Sequence, residues 1–206
     1  MSKTSRITYT AIFAAIASIL MYFEFPLPFM PPFLQVDLSG VAVLIGVFIF
    51  GIRPGICMIL IKDIIHLSKS ATGGSGELAD FLMMTTLIVI AVSIYKHHRT
   101  RKTAVVGCLV GTAGMAVVGM LTNNFLIIPY YTVAMGWPIE TILDLCAQVN
   151  PYIGSMWGYL LLGVLPFNLI KGVIITVITL LAYKKLSVFI KSKEITFGHP
   201  HGAKEA

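Results

Sequence analysis

Asn168 and Lys171 lie three residues apart inside the apolar stretch from Tyr159 to Ala182, so on a helix they share one face. A lysine at the centre of a membrane helix costs about 2.5–3.5 kcal/mol to insert, which is why such a residue turns to a partner, a cavity or a ligand and away from lipid. The pair reads as the floor of a binding site. The competing reading is structural, with the asparagine bridging to a neighbouring helix and the lysine neutralising a buried carboxylate. A second polar pair, Asn123 and Asn124, reaches similar depth in the preceding apolar segment, where Pro129 is expected to break the helix close to its outer end, just before Tyr131. Amides offer donors and acceptors, and an ammonium offers donors only. Such a set suits a flat heterocycle edged with carbonyl and ring N–H groups, whereas a phosphorylated ligand would require clustered Arg or Lys that this side of the chain lacks.

Lys62, Asp63 and His66 form a second ionisable group, with Asp63 and His66 three apart and able to share a face. They could relay protons in a proton-coupled secondary transporter. The plainer reading, which their place near a helix end favours, is that they pair with neighbouring helices. Ala11 and Ala15, like Gly107 and Gly111, are four apart, a spacing that lets another helix approach closely. For the glycines that neighbour is expected to belong to the bundle, and for the alanines to a partner protein. Cys57, Cys108 and Cys146 fall at no metal-ligand spacing and read as packing residues. The chain carries no phosphate-binding Gly-x-x-x-x-Gly-Lys-Ser/Thr loop, no His-Glu-x-x-His and no Gly-x-Ser-x-Gly, so no enzyme, metal or cofactor is expected.

The elements that must position these residues follow from composition. Of the 206 residues 57% are hydrophobic and 12% charged, a balance that would leave a soluble domain coated in apolar surface. The solvent is lipid, and without strand-like alternation the backbone must satisfy itself in helices. The expected fold is an all-α integral membrane protein, a six-transmembrane-helix bundle with both termini cytoplasmic. Its helices are placed at residues 7–24, 38–51, 54–70, 77–95, 103–131 and 155–186 within a single domain, 1–191, followed by a polar, disordered tail, 192–206. The small residues of the first apolar run lie mid-run, so it is read as a helix and not a cleaved leader. The charge of +6 reports topology, not nucleic acid: twelve of the 15 basic residues fall in cytoplasmic segments, while Glu24, Asp37, Glu77, Glu140 and Asp144 fall on or near the outer side.

Three outer segments complete the expected site. Residues 25–37 hold four prolines and three phenylalanines, too broken for a helix and too apolar for a loop in water, so they should pack on the bundle as a lid. Residues 70–76, rich in glycine, permit close backbone approach to a ligand, and residues 132–155 bring Trp137 and Tyr152 to the interface.

In their order and spacing, Ala11 and Ala15, the segment Val36 to Ser39 with Leu38, the stretch from Lys62 and Asp63 to Gly76 and Glu77, the run Asn123, Phe125, Pro129 and Tyr131, and the pair Asn168 and Lys171 together resemble one family. It is the substrate-binding S components of energy-coupling factor (ECF) vitamin transporters, and among them the riboflavin-specific members. The resemblance implies a vitamin held under the first loop in the outer half of the bundle. It implies polar contacts from Asn123, Asn168 and Lys171 to the isoalloxazine ring, with Asn124, Tyr131, Leu38, Gly76 and Glu77 also at the riboflavin site. It further implies docking of the Ala11/Ala15 surface on a transmembrane coupling protein driven by two cytoplasmic ATPase subunits.

Overall fold

The computed structural model describes residues 3–31, 33–98 and 100–197, with side chains as far as residue 182. These residues form seven helices: α1 (Lys3–Tyr22), α2 (Ser39–Phe50), α3 (Ile52–His66), α4 (Ser75–His97), α5 (Arg101–Val133), α6 (Ile139–Val149) and α7 (156–197). A two-residue antiparallel strand pair, Phe25–Pro26 with Gln35–Val36, folds the first loop back on itself. Of the tail expected from residue 192, residues 192–197 continue α7 and residues 198–206 lie outside the described part.

Four helices, α1, α4, α5 and the segment Met156–Ala182 of α7, are long and apolar enough to cross a membrane. At 12 and 15 residues, α2 and α3 span only about 18 and 22 Å. They meet at Gly51, a left-handed residue with φ of 91° that turns the chain where Arg6 donates to the Phe50 carbonyl at 2.6 Å. The crossing helices alternate in direction, and α1, α3 and α5 run towards the end of the bundle where the polar residues gather. The short α2 is buried on almost every side and forms the centre of the apolar core. Ala14, Ala17, Ser18 and Met21 are the buried face of α1, while Ala11 and Ala15 are exposed beside Ile12, Ile16 and Ile19.

Two features differ from the sequence expectation. Residues 132–155 are not merely a connector, for they contain α6, whose buried face is Ile142 and Cys146 and whose Glu140 and Asp144 are exposed. Eleven residues cannot cross a bilayer, so a search for spans passes over this helix although its apolar residues have helical spacing. Nor does Pro129 break α5. The helix widens into a π segment at Asn123–Ile127, two residues short of the proline, and continues to Val133. The same device recurs in α7, where the π segment Tyr159–Val164 precedes Pro166 by two. A proline lacks an N–H and its ring collides with the carbonyl four residues back; the wider turn removes that collision and keeps the helix intact.

Candidate functional site

The two π segments start at Asn123 and Tyr159, and these residues face each other across α5 and α7: the Tyr159 hydroxyl donates to Asn123 Oδ1 at 2.7 Å, while Asn123 Nδ2 donates to the Gly119 carbonyl at 2.8 Å. Above them the first loop folds in. Phe33 stands edge-on to Tyr131 and tilted against Tyr159, with ring centroids 6.2 and 6.1 Å apart, and Tyr131 in turn meets Trp137 at 5.8 Å. These contacts bound a cavity of about 370 Å3, within the range of small-molecule sites. Its apolar walls are Phe33, Ile127, Tyr131, Trp137, Phe167 and Met83, so the first loop does pack on the bundle and α6 adds Leu145 to the lining.

One side of this cavity is ionic. Lys171 Nζ donates to Asp37 Oδ2 and to Asp80 Oδ1, both at 2.9 Å. Asp80 Oδ2 then accepts from Lys62 Nζ at 2.6 Å, and Lys62 also donates to Asp63 at 2.5 Å. All five side chains are buried, so two ammoniums and three carboxylates form one network joining the first loop, α3, α4 and α7. Taking such charges from water is costly, and close pairing offsets the cost. Burial pushes the Asp37 carboxyl up, but the Lys171 ammonium, with the Lys62 charge and the hydrogen bond from Ser39, together outweigh it and hold the group below the ordinary carboxylate range. Asp37, Asp80 and Lys171 line the cavity, presenting both donor and acceptor atoms to it. In α6, burial raises the Cys146 thiol to about 12, in keeping with an inert packing residue.

Of the residues singled out in the sequence, Lys171, Asn123, Tyr131, Gly76 and Glu77 come together around the cavity. Asn168, Asn124 and Leu38 do not line it. Asn168 is turned into the α5–α7 interface, with Nδ2 donating to the Val164 carbonyl at 2.9 Å and lying 2.6 Å from where a Cβ on residue 119 would stand, while its Oδ1 is buried without a hydrogen-bond partner. Asn124 is half-buried on α5, and Leu38 precedes α2 and packs against the core. Asp63 and His66 fall into separate groups instead of a relay. Asp63 belongs to the Lys62 network, and His66 Nδ1 lies 2.8 Å from Glu77 Oε1. Lys62 and His66 take partners on α4, Asp80 and Glu77, as their position near the helix end favoured, whereas Asp63 pairs with Lys62 of its own helix.

The sequence reading passed over Asp80 and Tyr159. Asp80 could have been found by the same argument that singled out Lys171, since a carboxylate inside an apolar span also needs a partner. For Tyr159 the signal was weaker. Only Pro166, seven residues on, hints that the helix there is irregular.

Comparison with known proteins places this architecture. The family described as "ECF transporter, substrate-specific component" matches residues 5–183. The chain is 31% identical over 191 residues to the riboflavin transporter RibU of Staphylococcus aureus (strain TCH60), covering 93% of this chain and 95% of that one. It is 30% identical over 200 residues to the riboflavin transporter FmnP of Bacillus subtilis (strain 168), covering 96% and 100%. A solved S component of a bacterial ECF transporter superposes with a TM-score of 0.74 at 29% identity, over 92% of this chain and 99% of the other. The chain therefore belongs to the substrate-specific components of bacterial ECF transporters, as a multi-pass subunit of the cell membrane that serves transport and is not an enzyme.

Proposed function

We propose that this chain is the riboflavin-binding subunit of its transporter. The observation that carries the reading is the make-up of the cavity: aromatic and aliphatic walls from Phe33, Tyr131, Trp137 and Phe167 beside a cluster in which Asn123, Lys171, Asp37 and Asp80 offer donors and acceptors. An isoalloxazine ring has this division, with apolar faces and an edge of carbonyl and N–H groups. Relatives at about 30% identity over nearly their whole length carry the riboflavin name. Asn168 and Asn124 act on the site from behind, through the packing of α5, and Leu38 by seating the first loop against α2.

In this reading α1 to α5 and α7 make six crossings with both chain ends in the cytoplasm, and α6 lies at the outer surface over the cavity. The exposed Ala11 and Ala15 face of α1 docks on a membrane-embedded coupling protein, which two cytoplasmic ATPase subunits drive. Binding and specificity belong to this chain, and the work of transport to its partners.

The test is titration of the purified full chain in detergent with riboflavin and with FMN, read by flavin fluorescence quenching and visible absorbance. A stoichiometric yellow complex with riboflavin and much weaker binding of FMN is expected. Protein that remains colourless and quenches neither flavin would remove the substrate assignment while leaving the family membership intact.

A further inference from the structure

Below the cavity, where α5 packs against α7, polar atoms are left unpaired. Seven buried side-chain atoms make no hydrogen bond among the described residues, and four belong to these two helices: Asn168 Oδ1 and the hydroxyls of Thr112, Thr176 and Thr179. All four side chains are at most 2% exposed. At about 100° per residue, Asn168, Gly172, Thr176 and Thr179 fall within about 80° of one another around α7, and Cys108, Thr112 and Gly119 within about 40° around α5. The helices interlock along these faces. A Cβ on residue 119 of α5 would stand 2.6 Å from Asn168 Nδ2, and one on residue 172 of α7 would stand 2.6 Å from Thr112 Oγ1, so each helix offers a glycine to a polar side chain of the other. Thr176 has the Cys108 thiol beside it, a weak partner. Other helix hydroxyls are satisfied locally: Ser18, Thr86 and Thr122 donate to the carbonyl four residues back at 2.9, 2.8 and 2.9 Å. Those of the seam do not. The seam starts at the cavity, since Phe167 and Lys171, on either side of Asn168 in sequence, line it.

We propose that this seam is the joint along which the closed subunit opens to release its ligand: α5 and α7 part there, and water entering the gap satisfies the atoms that the closed seam leaves unpaired. A buried polar atom without a partner is a cost carried by the closed form alone, so it shifts the balance towards a form in which that atom is hydrated. On its other side α5 meets α4 through backbone, with Gly107 and Gly111 against the carbonyl oxygens of Ala91 and Leu87. Therefore α5 stays with α4, and α7 is the helix that moves. Its movement draws Phe167 out of the cavity wall. The ion pairs of Lys171 with Asp37 and Asp80 latch the upper end of the joint, and the partners that drive transport must overcome them. The inference rests on the riboflavin reading only for its probe.

Thr112→Val, Thr176→Val and Thr179→Val, combined in the full-length chain, keep the shape of the seam and remove its unpaired hydroxyls. The closed form should gain. The thermal unfolding midpoint of the ligand-free protein in detergent should rise, riboflavin affinity should stay within about twofold, and riboflavin uptake by the complete transporter in liposomes should fall about tenfold. Hydroxyls with a merely structural role would give the reverse, a lower midpoint and uptake that follows the amount of folded protein. A lowered midpoint, or uptake at the wild-type rate, would overturn the joint. Thr176→Cys tests it from the other direction, because a disulfide to Cys108 would hold the seam shut: uptake should stop, riboflavin binding should persist, and reduction should restore uptake. Uptake by the oxidised transporter, or no disulfide under oxidation, would also overturn the joint. Wild-type protein that binds no riboflavin would sink the riboflavin reading by itself, and the midpoint of the ligand-free valine variant would still decide the seam.

Discussion

At the end of the bundle away from the cavity, α4 and α5 touch through Gly107 and Gly111. A Cβ at either position would come within 2.6 or 2.7 Å of the carbonyl oxygens of Ala91 and Leu87. At the cavity end Lys171, Lys62 and three aspartates join the first loop, α3, α4 and α7, and the Tyr159–Asn123 bond between two π segments joins α7 to α5. Lipid gives helices little apolar reason to associate, so close van der Waals contact must hold the first region and charge and hydrogen bonds the second. Backbone contact leaves no room for a ligand. Side-chain pairing does, and it places polar atoms around the space that remains.

The sharpest way to break the comparison is Lys171→Met. From sequence alone this change should cost little folded protein, because a membrane helix tolerates methionine at least as well as lysine. The structure reverses that expectation, since Asp37 would lose its ammonium and Asp80 one of two. A destabilisation of about 3–5 kcal/mol is expected, together with loss of ligand binding. Adding Asp37→Asn should restore part of the stability, read as thermal unfolding in detergent. An unchanged midpoint in the single variant would mean that the network is not formed.

Gly111→Ala tests the other region. One methyl pressed on the Leu87 carbonyl should cost about 1–3 kcal/mol by the same measurement, with riboflavin affinity preserved in the protein that remains folded. A variant as stable as wild type would show that α4 and α5 do not pack backbone to backbone.

Smaller again, Tyr159→Phe leaves Asn123 Oδ1 without its donor at no cost in volume, and about 1 kcal/mol of stability should go with it. Binding should weaken as the amide loses its fixed orientation. Binding and stability both at wild-type values would remove Tyr159 from the site.

Ala11→Trp should affect neither stability nor binding, because residue 11 is exposed, yet transport by the assembled complex should cease. Loss of binding in that variant would argue against a docking role.

Much of this was legible in the chain. The crossing helices, the apolar first loop and the polar positions that need partners follow from hydropathy, proline content and the cost of charge in hydrocarbon. What the residues could not reveal is which partner each would take. Lys171 and Asn168 are three apart, which leaves them about 60° apart around the helix; that is enough for one to face the cavity and the other to face α5. Asp63 and His66 have the same spacing and divide between two groups for the same reason. Prolines 129 and 166 were visible, but whether a proline breaks a helix or is absorbed by a wider turn depends on neighbours far along the sequence. The helix α6 escaped because the argument from bilayer thickness looks for long runs, and α6 is a short surface element ordered by Ile142 and Cys146 beneath it.

The partners of Lys171 lie 134 and 91 residues before it. During synthesis Asp37, Asp63 and Asp80 all leave the ribosome with Lys62 as the only ammonium in their network, and the imbalance lasts until the final helix is made. A nascent chain that ends before that helix holds three carboxylates against one ammonium, so the last helix made is the one that completes the neutralisation of the network.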